Sequence, residues 1–97
     1  MAPTSYSRLH LTVDGRVQGV GFRYFVLEHA NSLDITGWVR NLYTGEVEVL
    51  AEGPHSTLEQ FLELVHRGPR GSYVINSKQE WLEYSGEFES FRVVNSA

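Results

Sequence analysis

The stretch GRVQGVGFR, residues 15–23, separates two hydrophobic periods and constrains the fold more than any other segment. Before it, Leu9, Leu11 and Val13 alternate with polar residues, and this period of two predicts a half-buried strand. After it, apolar residues recur at the spacing of a helix face, and this helix is expected to end near Leu33. The chain is therefore expected to pass from a strand into a helix through a loop rich in glycine.

The middle of the chain predicts two more strands and a second helix. Residues 35–42 and 46–51 indicate a β-hairpin with a short glycine-containing loop, and Gly53 is expected to end its second strand. Residues 56–59 match a capping box, which predicts that a helix begins there. This helix is expected to end at Gly68, which follows a basic residue and precedes a proline.

The last third predicts a strand between residues 75 and 83 and a short final strand around Phe91 and Val93. The order of elements is then βαββαβ with an extra short C-terminal strand, which favours an α+β fold of the ferredoxin-like sandwich type. An antiparallel sheet would carry both helices on one face. Residues 8–97 are expected to form a single domain, after a flexible tail of residues 1–7.

Composition excludes several classes of function. The 97 residues carry 12 acidic and 8 basic side chains, and a net charge of -4 argues against nonspecific binding to nucleic acid. No apolar run is long enough for a membrane span, so no membrane association is expected. The chain has no cysteine, which excludes thiolate catalysis and cysteine-ligated zinc and fits a cytoplasmic location. The four histidines lack zinc-ligand spacing, and no metal site is expected.

The glycine-rich loop has the properties of an anion-binding site. Glycines allow consecutive backbone N–H groups to turn into a concave nest, and the first N–H groups of a helix have no partners within it. The helix dipole adds positive potential at the same place. Arg23, in the first turn of the predicted helix, supplies a planar set of donors that suits phosphate oxygens.

Other interpretations of this loop fit less well. A dinucleotide-binding loop needs a third glycine, and a Walker A loop needs a lysine followed by serine or threonine; both are missing. The aromatic signature of RNA-recognition domains needs exposed strand aromatics, whereas Phe22 and Phe25 fall on the apolar face of the predicted helix. A simple tight turn with a solvated arginine remains as the alternative.

The sequence GRVQGVGFR, with GWVRN at residues 37–41 and GEVEV at residues 45–49, resembles the acylphosphatase family. A weaker resemblance continues into YSGEFESF, residues 84–91. The resemblance implies the ferredoxin-like fold and hydrolysis of acyl phosphates, which are carboxyl–phosphate mixed anhydrides, to a carboxylate and inorganic phosphate. It also implies a small-molecule acyl phosphate as substrate, inorganic phosphate or sulfate as competing anions, and no cofactor. Nothing in the sequence suggests an obligate partner, so a monomer is expected.

Two catalytic residues are implied by the resemblance. Arg23 occupies the position of the phosphate-binding arginine, and Asn41 that of the asparagine that orients the attacking water. The backbone cradle for the phosphate corresponds to Val17, Gln18, Gly19, Val20 and Gly21. The alternative function is a non-catalytic anion-binding or regulatory module of the same fold, because a fold does not determine a function.

The chain departs from the family pattern at a few positions. Asp34 stands where many members have glycine after the first helix, and aspartate is expected to tolerate a left-handed backbone there. Ser77 and Gln79 stand where several bacterial relatives have apolar residues, which leaves the register of the fourth strand open.

Overall fold

The computed structural model describes residues 5–97, in which two helices pack on one five-stranded sheet. The elements are β1 (Tyr6–Arg16), α1 (Phe22–Ser32), β2 (Thr36–Asn41), β3 (Val47–Pro54), α2 (His55–Arg67), β4 (Tyr73–Glu83) and β5 (Phe91–Val93). Their order along the chain is the predicted one, and it forms the ferredoxin-like α+β sandwich. The strand order across the sheet is β4-β1-β3-β2-β5.

The sheet is mixed, so the prediction of a wholly antiparallel sheet is wrong for its last strand. β1 runs antiparallel to both β3 and β4, and β2 runs antiparallel to β3, whereas β5 pairs parallel to β2. β4 ends at the same end of the sheet at which β2 begins. From there the chain passes across the sheet to the opposite edge, and it therefore enters β5 in the same direction as β2.

The core lies between the sheet and the helices. The apolar residues of β1 that alternate along the strand are fully buried, together with those of β3 that face the same side. The helices contribute the apolar face predicted from their spacing, including Phe22 and Val26 of α1 and Phe61 of α2. Both helices thus cover one face, and polar side chains such as Arg8, His10 and Thr12 occupy the other.

The N-terminal strand is longer than predicted. Residues 1–4 of the expected tail lie outside the described residues, but Tyr6 and Ser7 belong to β1 and pair with Pro54 and Gly53. The same pairing carries β3 through Gly53, so the prediction that this glycine ends the strand is wrong. A glycine is compatible with a strand when its neighbours across the sheet continue the ladder.

The predicted capping box at residues 56–59 is also wrong. α2 begins at His55, with Pro54 in an extended conformation at the N-cap position and no side-chain cap. The N–H of His55 donates to the carbonyl oxygen of Ser5 at 2.8 Å, so the chain preceding β1 satisfies a donor at this helix end. The helix ends before Gly68, as predicted.

The two departures at Asp34 and in β4 have clear local explanations. Asp34 has a φ of 56°, so this aspartate adopts the left-handed conformation expected of it. β4 begins at Tyr73, two residues before the predicted start, and its register shifts at Asp14 and Gly15 of β1. The strand lies at the sheet edge, where Ser77 and Gln79 are exposed, which explains why polar residues are tolerated.

Candidate active site

Residues 17–21 form the loop that connects β1 to α1. Gly19 and Gly21 both have a φ of 75°, a conformation that residues with a Cβ adopt at a cost. A Cβ at either glycine would meet no atom within 4 Å, so backbone conformation and not crowding requires glycine at these positions. Gly21 is the N-cap residue of α1, and the loop therefore delivers its backbone directly to the helix N-terminus.

The backbone N–H groups of this loop are free to bind a ligand. Among residues 5–97, none of the hydrogen bonds outside the regular elements is donated by an N–H of residues 17–21. Helical hydrogen bonding starts with the N–H of Phe25, which donates to the carbonyl oxygen of Gly21 at 3.0 Å. Unpaired amides at a helix N-terminus attract anions, because they carry the positive end of the helix dipole.

A small cavity of about 110 Å³ lies against these amides. Its wall consists of Val17, Gly19, Gly21, Phe22, Arg23, Tyr24 and Asn41. The two predicted catalytic residues, Arg23 and Asn41, thus lie on the same cavity although 18 positions separate them in the sequence. Gln18 and Val20 belong to the predicted cradle, but their side chains do not line the cavity, and Val20 packs against the core.

Arg23 is the charged residue of the cavity wall. It is the second residue of α1, and its side chain is half-buried. The ion pairs among residues 5–97 involve other cations, and Arg23 takes part in none of them. The guanidinium therefore adds an uncompensated positive charge to the amides of the loop.

Asn41 ends β2 on the side of the sheet that faces the helices. Strand alternation places it with the buried Gly37 and Val39, whereas Arg40 points to the opposite face. The Oδ1 atom of Asn41 is buried and has no hydrogen-bond partner among the described residues. A buried acceptor without a donor costs about 1–3 kcal/mol, so this atom suits a donor that arrives with a ligand or a water molecule.

Two other basic residues, Arg40 and His10, are engaged away from the cavity. Arg40 Nε donates to Glu48 Oε1 at 2.7 Å, and His10 Nε2 lies 2.7 Å from Glu48 Oε2. Burial raises the pKa of Glu48, but the hydrogen bonds with His10 and Arg40 outweigh it and keep that pKa below the ordinary glutamate value. This cluster lies on the open face of the sheet, and Arg23 is the cation among the residues that line the cavity.

Two features of the site were not predicted from the sequence. The side-chain amide of Gln18 donates to the carbonyl oxygens of Leu42 and Glu46, whereas only its backbone was assigned to the loop. Tyr24 lines the cavity although 67% of its surface is exposed. Both depend on side-chain directions, for which the local sequence offers no signal beyond proximity to the glycines.

The ferredoxin-like sandwich thus carries free loop amides, an uncompensated arginine and an unpaired amide oxygen at one cavity. Groups of this kind suit a phosphate-like anion beside a polar molecule. The acylphosphatase family model matches residues 9–93. The chain belongs to the acylphosphatase family. Its reaction is the hydrolysis of acyl phosphates to a carboxylate and inorganic phosphate, as the resemblance implied.

Individual relatives agree over nearly their whole length. The acylphosphatase of Caldanaerobacter subterraneus is 45% identical, with 88% of this chain and 94% of the relative covered. That of Salinibacter ruber is 48% identical over 89% and 90% of the two chains. The crystal structure of the Bacillus subtilis acylphosphatase superposes with a TM-score of 0.88 at 41% identity, covering 91% of this chain and 98% of the other.

Neither helix in the described part of the chain has the length and apolar character needed to cross a membrane.

Proposed function

We propose that the cavity between the loop and the end of β2 is the active site for acyl phosphate hydrolysis. The amides of residues 17–21 and the guanidinium of Arg23 hold the phosphoryl group, and Asn41 orients the attacking water. The observation that carries this proposal is the buried, unpartnered Oδ1 of Asn41 on the same small cavity as the uncompensated Arg23.

The phosphoryl group is held by charge and by backbone donors. An acyl phosphate is an activated anhydride, so the protein needs to position the reactants and stabilise the oxygens more than to supply a strong nucleophile. Arg23 offers parallel N–H donors to two oxygens, and the helix N-terminus favours the remaining negative charge. Donors fixed before the reaction stabilise the transition state without reorganisation at the moment of transfer.

Asn41 supports the nucleophile. Its Oδ1 accepts a hydrogen bond from a water molecule and directs the water's lone pair toward phosphorus. The water oxygen forms the new P–O bond, the bond between phosphorus and the acyl oxygen breaks, and the carboxylate leaves with that electron pair. The proton from the water is released to the phosphate, which gives inorganic phosphate and a carboxylate as products.

The proposal includes several finer properties, of which the first two concern metal ions and competing anions. Arg23 and the amides supply the positive charge at the phosphoryl oxygens, so catalysis proceeds without a metal ion, and inorganic phosphate or sulfate competes for the same donors. The monomeric state and the cytoplasmic location are part of the same proposal. The absence of cysteine fits a reducing compartment.

The decisive experiment is a turnover assay on several acyl phosphates, benzoyl phosphate among them, beside a simple phosphate monoester. Rapid hydrolysis of the anhydrides with little turnover of the monoester is the expected result, and EDTA should leave the rate unchanged. If the protein binds inorganic phosphate but does not hydrolyse acyl phosphates, the alternative of a non-catalytic anion-binding module describes it better. A rate that collapses in EDTA would reject the metal-free mechanism.

A further inference from the structure

The side chain of Gln18 turns away from the cavity to which its backbone belongs. Its Nε2 donates to the carbonyl oxygen of Leu42 at 2.8 Å and to that of Glu46 at 2.9 Å. The side chain is partly shielded from solvent, and it does not line the phosphate cavity. Both N–H bonds of one side-chain amide are therefore directed to the hairpin between β2 and β3.

These two acceptors lie directly beside Asn41 in the fold. Leu42 is the next residue in the chain, and its own N–H donates to the carbonyl oxygen of Glu46 at 2.8 Å. The Gln18 amide thus joins the closing hydrogen bond of the hairpin at the end of the strand that carries Asn41. Among residues 5–97, these are the side-chain hydrogen bonds that connect the loop of residues 17–21 to the hairpin.

The proposed reaction needs this connection because the loop and Asn41 hold different reactants. The loop fixes phosphorus, Asn41 fixes the water, and the covalent path between them runs through the whole of α1 and β2. Catalytic groups generally have to stay within about 0.5 Å of their productive positions. A misplacement of about 1 Å lowers a rate by roughly a hundredfold.

We infer that Gln18 is a positioning residue for the hydrolysis, and this inference rests on the proposed roles of the loop and Asn41. Its side chain sets the distance and angle between the bound phosphoryl group and the water at Asn41. It does so through the backbone of Leu42 and Glu46, without contacting the phosphate. The phosphate site itself is built from main-chain amides and Arg23, which remain when the side chain of Gln18 is changed.

The test is a pair of variants close in size to glutamine, Gln18→Met and Gln18→Glu. Neither the thioether of methionine nor the ionised carboxylate of glutamate can donate a hydrogen bond to the two carbonyl oxygens. We expect kcat for benzoyl phosphate to fall by about tenfold to a hundredfold. The inhibition constant of inorganic phosphate should change by less than about threefold in Gln18→Met, since every N–H donor of the cradle is retained. Thr44→Val is the matched control, because it removes a hydrogen bond to Glu46 Oε1 within the same hairpin and should leave kcat unchanged.

A double-mutant cycle separates positioning from a general loss of structure. If Gln18 acts through Asn41, Gln18→Met should cost little when Asn41 is already alanine, so the two losses should be far from additive. Wild-type kcat in Gln18→Met, additive losses, or parallel loss of phosphate affinity and kcat would each overturn the inference. Full turnover in Asn41→Ala alone would instead reject the proposed water-orienting role of Asn41, on which this inference rests.

Discussion

The carboxylate of Glu52 has no exposed surface, and Arg8 Nε donates to its Oε2 at 2.8 Å. The same carboxylate accepts hydrogen bonds from the N–H and Oγ of Ser85 and from the N–H of Gly86. It therefore anchors the segment that leaves β4 and passes across the sheet to β5 at the opposite edge. Burial raises the pKa of Glu52, but these hydrogen bonds outweigh it, and the pKa lies below the ordinary glutamate value.

Glu52 is expected to make the stability of the protein sensitive to acid. Because its pKa is lower in the folded state, its contribution is complete above the unfolded pKa of about 4.3. That contribution declines as the pH falls through 4 toward the folded-state pKa. Urea unfolding at a series of pH values should show a steeper loss of stability below pH 4.5 in the wild type than in Glu52→Gln.

Glu52→Gln should also be less stable than the wild type at neutral pH. An uncharged amide replaces a buried acceptor of four hydrogen bonds, and Arg8 loses its buried partner, which costs about 2–4 kcal/mol. Glu63→Gln is the control, because this glutamate is exposed on α2 and the substitution changes the same chemical group. Equal acid sensitivity in the wild type and Glu52→Gln would contradict the prediction.

Hydrophobic periodicity predicted the elements well because α2 is strongly one-sided, α1 has a recognisable apolar face and the central strands alternate. Leu9, Leu11 and Val13 are fully buried, as their alternation required. The errors fall where partners across the sheet decide the outcome. Gly53 continues β3 because Ser7 pairs with it, and the first N–H of α2 is satisfied by Ser5 rather than by a capping side chain. Such long-range partners leave no periodic signal.

The sequence singled out the loop and the two side chains that the structure places on one cavity. The glycine spacing indicated an anion-binding loop on physical grounds, whereas the roles of Arg23 and Asn41 came from resemblance. That Asn41 shares a cavity with the loop depends on strand order, which places the end of β2 beside the start of α1. The direction of the Gln18 side chain could not be predicted, since the same sequence position allows it to face either the ligand or the hairpin.

The phosphate-binding role of Arg23 is expected to depend on the planar shape of its guanidinium as well as on its positive charge. Arg23→Lys keeps the positive charge but loses the planar fork, so phosphate affinity should fall by about tenfold or more. Arg23→Gln should remove nearly all turnover of benzoyl phosphate. Arg70→Gln removes an exposed arginine after α2 and should leave both kcat and phosphate inhibition at wild-type values. If Arg23→Lys were as active as the wild type, bidentate binding of the phosphoryl group would be excluded.

Substitution of either loop glycine, Gly19 or Gly21, by alanine is expected to weaken phosphate binding through strain in the backbone. Alanine at Gly19 or Gly21 meets no steric obstacle but must adopt a φ of 75°, at a cost of about 1 kcal/mol. Part of that strain is relieved when the loop turns its amides away from the nest, so the inhibition constant of phosphate should rise. Gly71→Ala carries the same kind of strain at a φ of 89° with equally open surroundings. It should lower the thermal midpoint similarly while phosphate inhibition stays unchanged; equal affinities in all three variants would exclude the nest.

The substitution Asn41→Ala should lower kcat without lowering the stability of the protein. Asn41→Ala removes the acceptor for the water, and we expect kcat to fall by about a hundredfold or more while the inhibition constant of phosphate is nearly preserved. The substitution also removes a buried Oδ1 without a partner, so the free energy of unfolding should stay equal or rise by up to about 1 kcal/mol. Asn41→Asp retains an oxygen at this position but brings a negative charge toward the phosphoryl group, and KM should rise together with the loss of kcat. Steady-state kinetics and urea unfolding of the two variants measure these effects. A clear loss of stability in Asn41→Ala would contradict the prediction that this side chain contributes no hydrogen bond to the fold, whereas wild-type kcat would reject its role toward the attacking water.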